Sequence, residues 1–350
     1  MTTSTHVRAG GHITLLFSVE KDAQLLRNQG SVGAGFSIEH GVALTGTLHR
    51  TDRSIRPRSE GAEPEPREAP FAPIESSVVV CDHLGEKVQD VSLYLDMIDA
   101  CRQATLLRPD EWLTVEVELE CPVSQGFGMS AAGLMALGRL IHELTQRGRW
   151  LQYLKLAHRI ERQRGGGLGD VLGGSVGGIE LRTAPGAPGW PGAATGFEAS
   201  SPVLLVWDPS ESRHTSTYID DTTWQERITS AGRASVRVLA AAPWNIDAWP
   251  TLLEQSRMFA TASGLVDETA RAHVYRDVLD ALSSSGQAAV WAARLCMLGS
   301  SVAVLPRQLN AAGKEEDLQQ VAVLLEEQGY DVLVTALAGV TTLDSVGKDR

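Results

Sequence analysis

The chain has 350 residues, 43% of them apolar and 21% charged, too long for a peptide hormone or a lone binding motif and rich enough for one large core or two moderate ones. A balance of 31 basic against 43 acidic residues gives a net charge of −12, which argues against sequence-independent nucleic-acid binding. No run of about 18 apolar residues suggests a membrane span, and the polar stretch Met1–Ala9 has no apolar leader. The expectation is therefore a cytoplasmic protein with neither nucleic acid nor membrane as partner, and the sequence leaves a homodimer open. Cys81, Cys101, Cys121 and Cys296 show no C-x-x-C spacing and read as small buried hydrophobes.

In chain order, Ile13–Val19 and Phe36–Leu48 are apolar and rich in β-branched residues, and predict a pair of strands around a loop at Arg27–Gly35. The stretch Arg50–Pro73 turns to Arg, Glu and Pro, cannot bury enough surface to order itself, and reads as a disordered, solvated insertion. Val78–Val80 suggests a strand and Val91–Leu107 a helix. Leu113–Glu120 alternates strictly between apolar and polar residues, the pattern of a half-buried strand. The stripe Gly133, Leu137, Leu140, Ile141 and Leu144 follows the helical period, and a second helix is expected over Trp150–Arg164. A glycine tract, Gly165–Gly178, leads to a strand at Ile179–Arg182. The Pro- and Gly-rich run Pro185–Gly196 then marks a soft boundary, giving domains at 1–200 and 201–350. Beyond it come a strand at Val203–Trp207, helices at Asp221–Leu239, Ala248–Ser263 and Val266–Ser284, a strand at Leu298–Leu305, a helix at Glu315–Gln328 and a strand at Asp331–Leu337. The fold class expected from this order is α+β.

Four segments carry candidate chemistry. Pro122–Ala132 (PVSQGFGMSAA) lies between a clear strand and a clear helix. Gly126 and Gly128 let backbone approach a ligand, and a helix N-terminus offers free N–H groups and a positive dipole end, together an anion cradle. An ordinary glycine turn with Ser130 as N-cap is the competing reading. In Gly165–Gly178 eight of fourteen residues are glycine and Asp170 is the only charge. It reads as a carboxylate that touches a substrate hydroxyl, or as the aspartate of an Asx-turn. Glu161 falls on the apolar stripe of Trp150, Leu154 and Ala157, and a carboxylate there needs a metal or a salt bridge, with Arg164 within reach. Finally, Gln29–Gly35, with Ser31, Gly33 and Gly35, could cradle a small anion, with Arg27 for a carboxylate; His12 reads as a satisfied structural histidine.

Taken in this order, the motifs resemble those of the GHMP small-molecule kinase superfamily. Pro122–Ala132 is similar to its phosphate-binding motif P-x-x-x-G-L-G-S-S-A-A, with Phe127 and Met129 as departures, and Gly169-Asp170 followed by Gly177-Gly178 is similar to its catalytic aspartate segment. Gly11–Phe17, Gly30–Gly35, Gln125–Ala131 and Met297–Val302 are similar to the archaeal pantoate kinases within it. The resemblance implies ATP and Mg²⁺ as cofactors and a small hydroxyl-bearing substrate. It implies nucleotide contacts at Gly126, Phe127, Gly128, Met129, Ser130 and Ala131, with Ser130 and Glu161 on the metal and Asp170 at the attacking hydroxyl. Substrate contacts would come from His12, Arg27, Ser31, Gly33 and Gly35; His12 stands where several members carry Lys or Arg. The implied fold is an N-terminal α/β domain with a left-handed β-α-β unit joined to a ferredoxin-like C-terminal domain. Within the superfamily another hydroxyl acceptor (homoserine, shikimate, a mevalonate derivative) is an alternative, as is a non-catalytic metabolite binder.

Overall fold

The computed structural model describes residues 3–51, 75–211, 220–309 and 314–340. Most of the expected insertion at 50–73 lies outside them; Arg50 itself ends a strand and its guanidinium reaches Glu111 Oε1 at 2.9 Å. Two long antiparallel strands set the frame. Strand β1 (Thr3–Phe17) pairs along almost its whole length with β2 (Gly33–Arg50). The other edge of β2 is shared, with β5 (Glu111–Leu119) along its second half and β6 (Ile179–Ala184) along Gly33–Phe36. The sheet is completed by β3 (Ser77–Cys81), parallel to β5, by β4 (Lys87–Val88), and by β7 (Ala193–Phe197) beyond β6. The alternation read at Leu113–Glu120 is realised in β5: Leu113, Val115, Val117 and Leu119 are buried while Thr114, Glu116 and Glu118 face out.

Helices α1 (Ser92–Gln103), α2 (Met129–Thr145) and α3 (Trp150–Gln163) pack together, with α2 against β1 and β2. Because α2 lies between the sheet and two helices, it is apolar nearly all round rather than along one stripe. Its glycines allow the close crossing: a Cβ at Gly133 would lie 2.6 Å from the Tyr94 hydroxyl, and one at Gly138 would lie 3.0 Å from Met97 Cε.

The glycine tract is not a plain loop. Asp170–Val176 forms a short helix, α4, despite the low helix propensity of Gly173 and Gly174. Contact explains their presence, since a Cβ at Gly173 would meet His12 Nε2 at 2.3 Å and one at Gly174 would meet Met135 Cε at 2.6 Å.

The second sheet has the order β11-β8-β10-β9, formed by β8 (Pro202–Trp207), β9 (Trp291–Cys296), β10 (Ser301–Pro306) and β11 (Asp331–Ala336), antiparallel throughout. Helices α6 (Trp249–Ser263), α7 (Thr269–Ser284) and α8 (Glu315–Glu326) pack against it, while α5 (Thr222–Leu239) lies against α6 and against β1, β2 and β6 of the first sheet. The two sheets are stitched by backbone. Met297 N donates to Thr14 O at 2.9 Å, Ala338 N to Ser37 O at 2.8 Å and Gly178 N to Gly339 O at 3.1 Å. Cys101, Cys121 and Cys296 are buried and Cys81 is half-buried, all as free thiols. Among the described residues no helix is long and apolar enough to cross a membrane.

Candidate active site

A cleft of about 500 Å³ opens between the two halves, lined by Pro122–Ser124, Gly126–Ala131 and Gly165–Asp170, with Glu161 and Met297–Gly299. That volume suits a small-molecule ligand. Its floor is the turn before α2. Gly126 and Gly128 have positive φ (81° and 71°), and Gly128, not Ser130, is the N-cap. The Phe127 side chain turns inward, 1% exposed and edge-on to Trp207 at 5.7 Å, while its carbonyl accepts from His12 N at 3.1 Å. This segment therefore presents backbone, not the Phe127 ring, to the cleft. Gly299 closes the floor from the other sheet, where a Cβ would lie 2.0 Å from Gln125 O, and the Ser301 hydroxyl donates to that same carbonyl.

Ser130, one residue into α2, donates its hydroxyl to Glu161 Oε1, and Gly167 N donates to Glu161 Oε2 at 2.8 Å. The competing pair with Arg164 does not form: Arg164 reaches back to α1, 2.5 Å from Asp96 and 2.7 Å from Ser92 Oγ. Glu161 is 2% exposed. Burial pushes its carboxyl up to about 7, the Ser130 hydrogen bond opposes this, and the charge of Asp170 adds to it. A Cβ on Gly167 would lie 2.3 Å from Asp170 Oδ2 and 2.8 Å from Glu161 Oε2, so the two acids share one corner.

Asp170 opens α4 with its side chain 24% exposed, and its Oδ1 accepts from His12 Nδ1 at 3.0 Å and from the Thr14 hydroxyl at 3.3 Å. These long-range partners displace the Asx-turn reading. Burial alone would raise its carboxyl, but the His12 hydrogen bond, followed by the charges of His12 and Arg182, carries it below the ordinary value. Asp170 is thus an ionised carboxylate, with Oδ2 turned to the corner where Glu161 sits.

Of the other expected contacts, Ser31 lines the cleft, and its hydroxyl is buried with no hydrogen-bond partner among the described residues. Its neighbours are Gly169 and Arg182: a Cβ on Gly169 would sit 2.4 Å from Ser31 Oγ and 2.8 Å from Arg182 Cζ. Gly33 and Gly35 do not line the cleft. They belong to β2, where a side chain would strike Leu16 O at 2.4 Å and Ile13 O at 2.2 Å, so close strand packing accounts for them. Arg27 is also outside the cleft, exposed and stacked on Trp190 at 5.3 Å. His12 is buried behind Asp170.

Thr14, Glu180 and Arg182 were not singled out from the sequence. Arg182 NH1 donates to Glu180 Oε1 at 2.9 Å, to Thr14 Oγ1 at 3.3 Å and to Gly169 O at 3.4 Å, and both charged side chains are fully buried. Their signal was present: two opposite charges two residues apart on one face of the otherwise apolar strand at 179–182.

Residues 92–178 match the model of the GHMP kinases N terminal domain, a span that runs from α1 through α4 and so includes Ser130, Glu161 and Asp170. The fold is that of the GHMP kinases. The chain's relatives include a pantoate kinase of Thermococcus kodakarensis, 32% identical over 51% of this chain and 51% of its own length. The chain thus aligns with about half the length of that relative. A pantoate kinase of Methanospirillum hungatei is 26% identical over 75% of this chain and 76% of its own. Among solved structures, a phosphotransferase related to the CoA biosynthesis pathway superposes with a TM-score of 0.71 at 20% identity, covering 96% of this chain and 97% of that one. An L. major mevalonate kinase superposes with a TM-score of 0.61 at 12% identity, covering 97% of each chain.

Proposed function

We propose that this chain is an ATP-dependent kinase that phosphorylates the primary hydroxyl of pantoate, giving 4-phosphopantoate for coenzyme A biosynthesis. One observation carries the reading: Asp170, the Ser130–Glu161 pair and the N-terminus of α2 line a single cleft. The pantoate kinases among its relatives supply the substrate class. In this reading residues 1–200 form the nucleotide-holding domain and 201–350 the second domain, which adds Met297–Gly299 to the cleft.

Phosphoryl transfer through a loose transition state asks mainly for positioning and charge neutralisation. Backbone N–H groups from Gly126 to Ala131, at the positive end of α2, hold the phosphates. Among the described residues no cluster of three or more His, Cys, Asp or Glu side chains forms a metal cage. The donor set nevertheless fits Mg²⁺, which uses one or two carboxylates and completes its shell with phosphate and water. Glu161, whose carboxyl burial raises to about 7, together with the Ser130 hydroxyl, would hold it as the carboxylate. When bound, the ion neutralises phosphate charge. Asp170 Oδ2 accepts the hydrogen bond of the acceptor hydroxyl and aligns it. The unpartnered Ser31 hydroxyl takes a polar group of the acceptor, with the Arg182 guanidinium behind it favouring the pantoate carboxylate.

The test is ADP release with Mg²⁺ and ATP across pantoate, homoserine, shikimate and mevalonate. Turnover with pantoate at a kcat/KM at least tenfold above the others is expected. Preference for another acceptor overturns the substrate assignment, and no turnover with any of them leaves the non-catalytic binder as the reading.

A further inference from the structure

Behind Asp170, away from the cleft, charges alternate along a buried row. His12 is 1% exposed, with Nδ1 3.0 Å from Asp170 Oδ1 and Nε2 3.1 Å from Glu180 Oε1. Glu180 in turn accepts from Arg182 at 2.9 Å. The groups facing the ring are therefore Asp170 from α4 and Glu180 from β6, with Arg182 and the Thr14 hydroxyl next to those carboxylates. A neutral imidazole has one N–H and one lone pair, so with a carboxylate on each nitrogen it would point a lone pair at an anion. Only the imidazolium donates to both. The row then reads minus, plus, minus, plus from Asp170 to Arg182, with no net charge, as buried ions require. Burial works against a charged ring, yet the hydrogen bonds it donates to both acids, with their charges, outweigh it and the His12 pKa lies above its ordinary 6.5.

We infer that His12 is a positioning residue, held as an imidazolium between Asp170 and Glu180, that keeps Asp170 ionised and occupies its Oδ1 so that only Oδ2 faces the acceptor hydroxyl. This rests on the kinase reading of Asp170. A carboxylate tied to a fixed cation is a weak proton acceptor, so Asp170 first orients the hydroxyl; its proton passes to Oδ2 only as the new O–P bond forms, ADP departs and the attacking oxygen becomes strongly acidic. Gly173 is part of the device: a Cβ there would occupy space 2.3 Å from Nε2 and push the ring off its partners.

The experiment is nitrogen NMR of the full chain carrying isotope-labelled histidine, with the His12 signals assigned by their loss in His12→Gln. Two protonated ring nitrogens at about pH 8, well above the free-histidine range, are expected; one unprotonated nitrogen at that pH overturns the inference. Kinetics supply the second arm. His12→Gln should lower kcat by at least tenfold, leave KM for ATP within about twofold, and move the acid limb of the kcat profile to higher pH as Asp170 loses its cation. An unmoved acid limb overturns the inference. His12→Gln that does not fold leaves the NMR arm decisive, with Gly173→Ala supplying the assignment. Asp170→Asn separates the two readings: if it turns over normally, the kinase role of Asp170 fails, whereas a neutral His12 beside a dead Asp170→Asn removes only the His12 inference.

Discussion

Replacing Glu161 with glutamine should make the ligand-free protein more stable at alkaline pH and less stable in acid. The carboxyl is moved from an ordinary 4.5 to about 7, first by burial, with the charge of Asp170 adding to the shift against the hydrogen bonds from Ser130 and Gly167. An acid whose folded pKa lies above its unfolded one penalises the fold as pH rises through the interval between them, because the unfolded chain gives up the proton that the folded chain retains. At about 1.4 kcal/mol per unit the penalty reaches roughly 3 kcal/mol once pH is above about 7. Glutamine carries no charge, still accepts from Ser130 Oγ, and loses the acceptor for Gly167 N, a cost of about 1 kcal/mol. The variant should therefore be about 1 kcal/mol less stable near pH 4.5 and roughly 2 kcal/mol more stable near pH 8. Urea denaturation of both proteins without divalent cations measures this, since effects of titrating groups away from the Glu161–Asp170 corner cancel in the difference. Mg²⁺ with a nucleotide should then stabilise the wild type more than the variant at about pH 8. A stability difference that stays constant between these pH values would refute the view of Glu161 as a charge held at a cost for a cation.

Three further outcomes follow from the contacts. Gly167→Ala places a methyl 2.3 Å from Asp170 Oδ2 and 2.8 Å from Glu161 Oε2, so kcat should fall by about 100-fold or more while far-ultraviolet circular dichroism is unchanged; a rate near wild type would show that the two acids do not act in one corner. Ser31→Ala should raise KM for the acceptor about tenfold through one lost hydrogen bond and leave KM for ATP alone; the reverse pattern would move Ser31 to the nucleotide. Glu111, fully buried, accepts from Arg147 at 2.5 and 2.8 Å, and although burial raises its carboxyl, those hydrogen bonds and that of Arg108 N hold it at about 2. Its folded pKa lies below the unfolded value, so its contribution is present above about pH 4.5 and lost as pH falls through about 2. Glu111→Gln should remove that stretch of the acid-unfolding curve, and an unchanged curve would show that the pair contributes nothing.

Much of the first sheet was legible because its strands alternate or run apolar, as at Leu113–Leu119, and α3 was placed within a residue of its end by its stripe. Three features were hidden for identifiable reasons. The helix α4 was masked by Gly173 and Gly174, whose purpose, contact with His12 and Met135, exists only in three dimensions. Strand β9 was masked by Arg294, which is buried and satisfied by donating to Leu253 O at 2.7 Å. Gly33 and Gly35 suggested a ligand loop because glycine marks close approach without saying to what, and here the approach is strand to strand. In the site, local motifs pointed to Ser130, Glu161 and Asp170. The sequence could not show that His12, Glu180 and Arg182 form one charge row, because their juxtaposition depends on the pairing of β1, β2 and β6.

The most direct measurement is phosphorus NMR of the reaction of ATP with pantoate in the presence of Mg²⁺ and the purified chain. The account predicts stoichiometric ADP and a single new phosphomonoester signal coupled to the two protons of the primary carbinol. A signal coupled instead to the lone proton of the secondary carbinol, or ADP and inorganic phosphate without any ester, would contradict it.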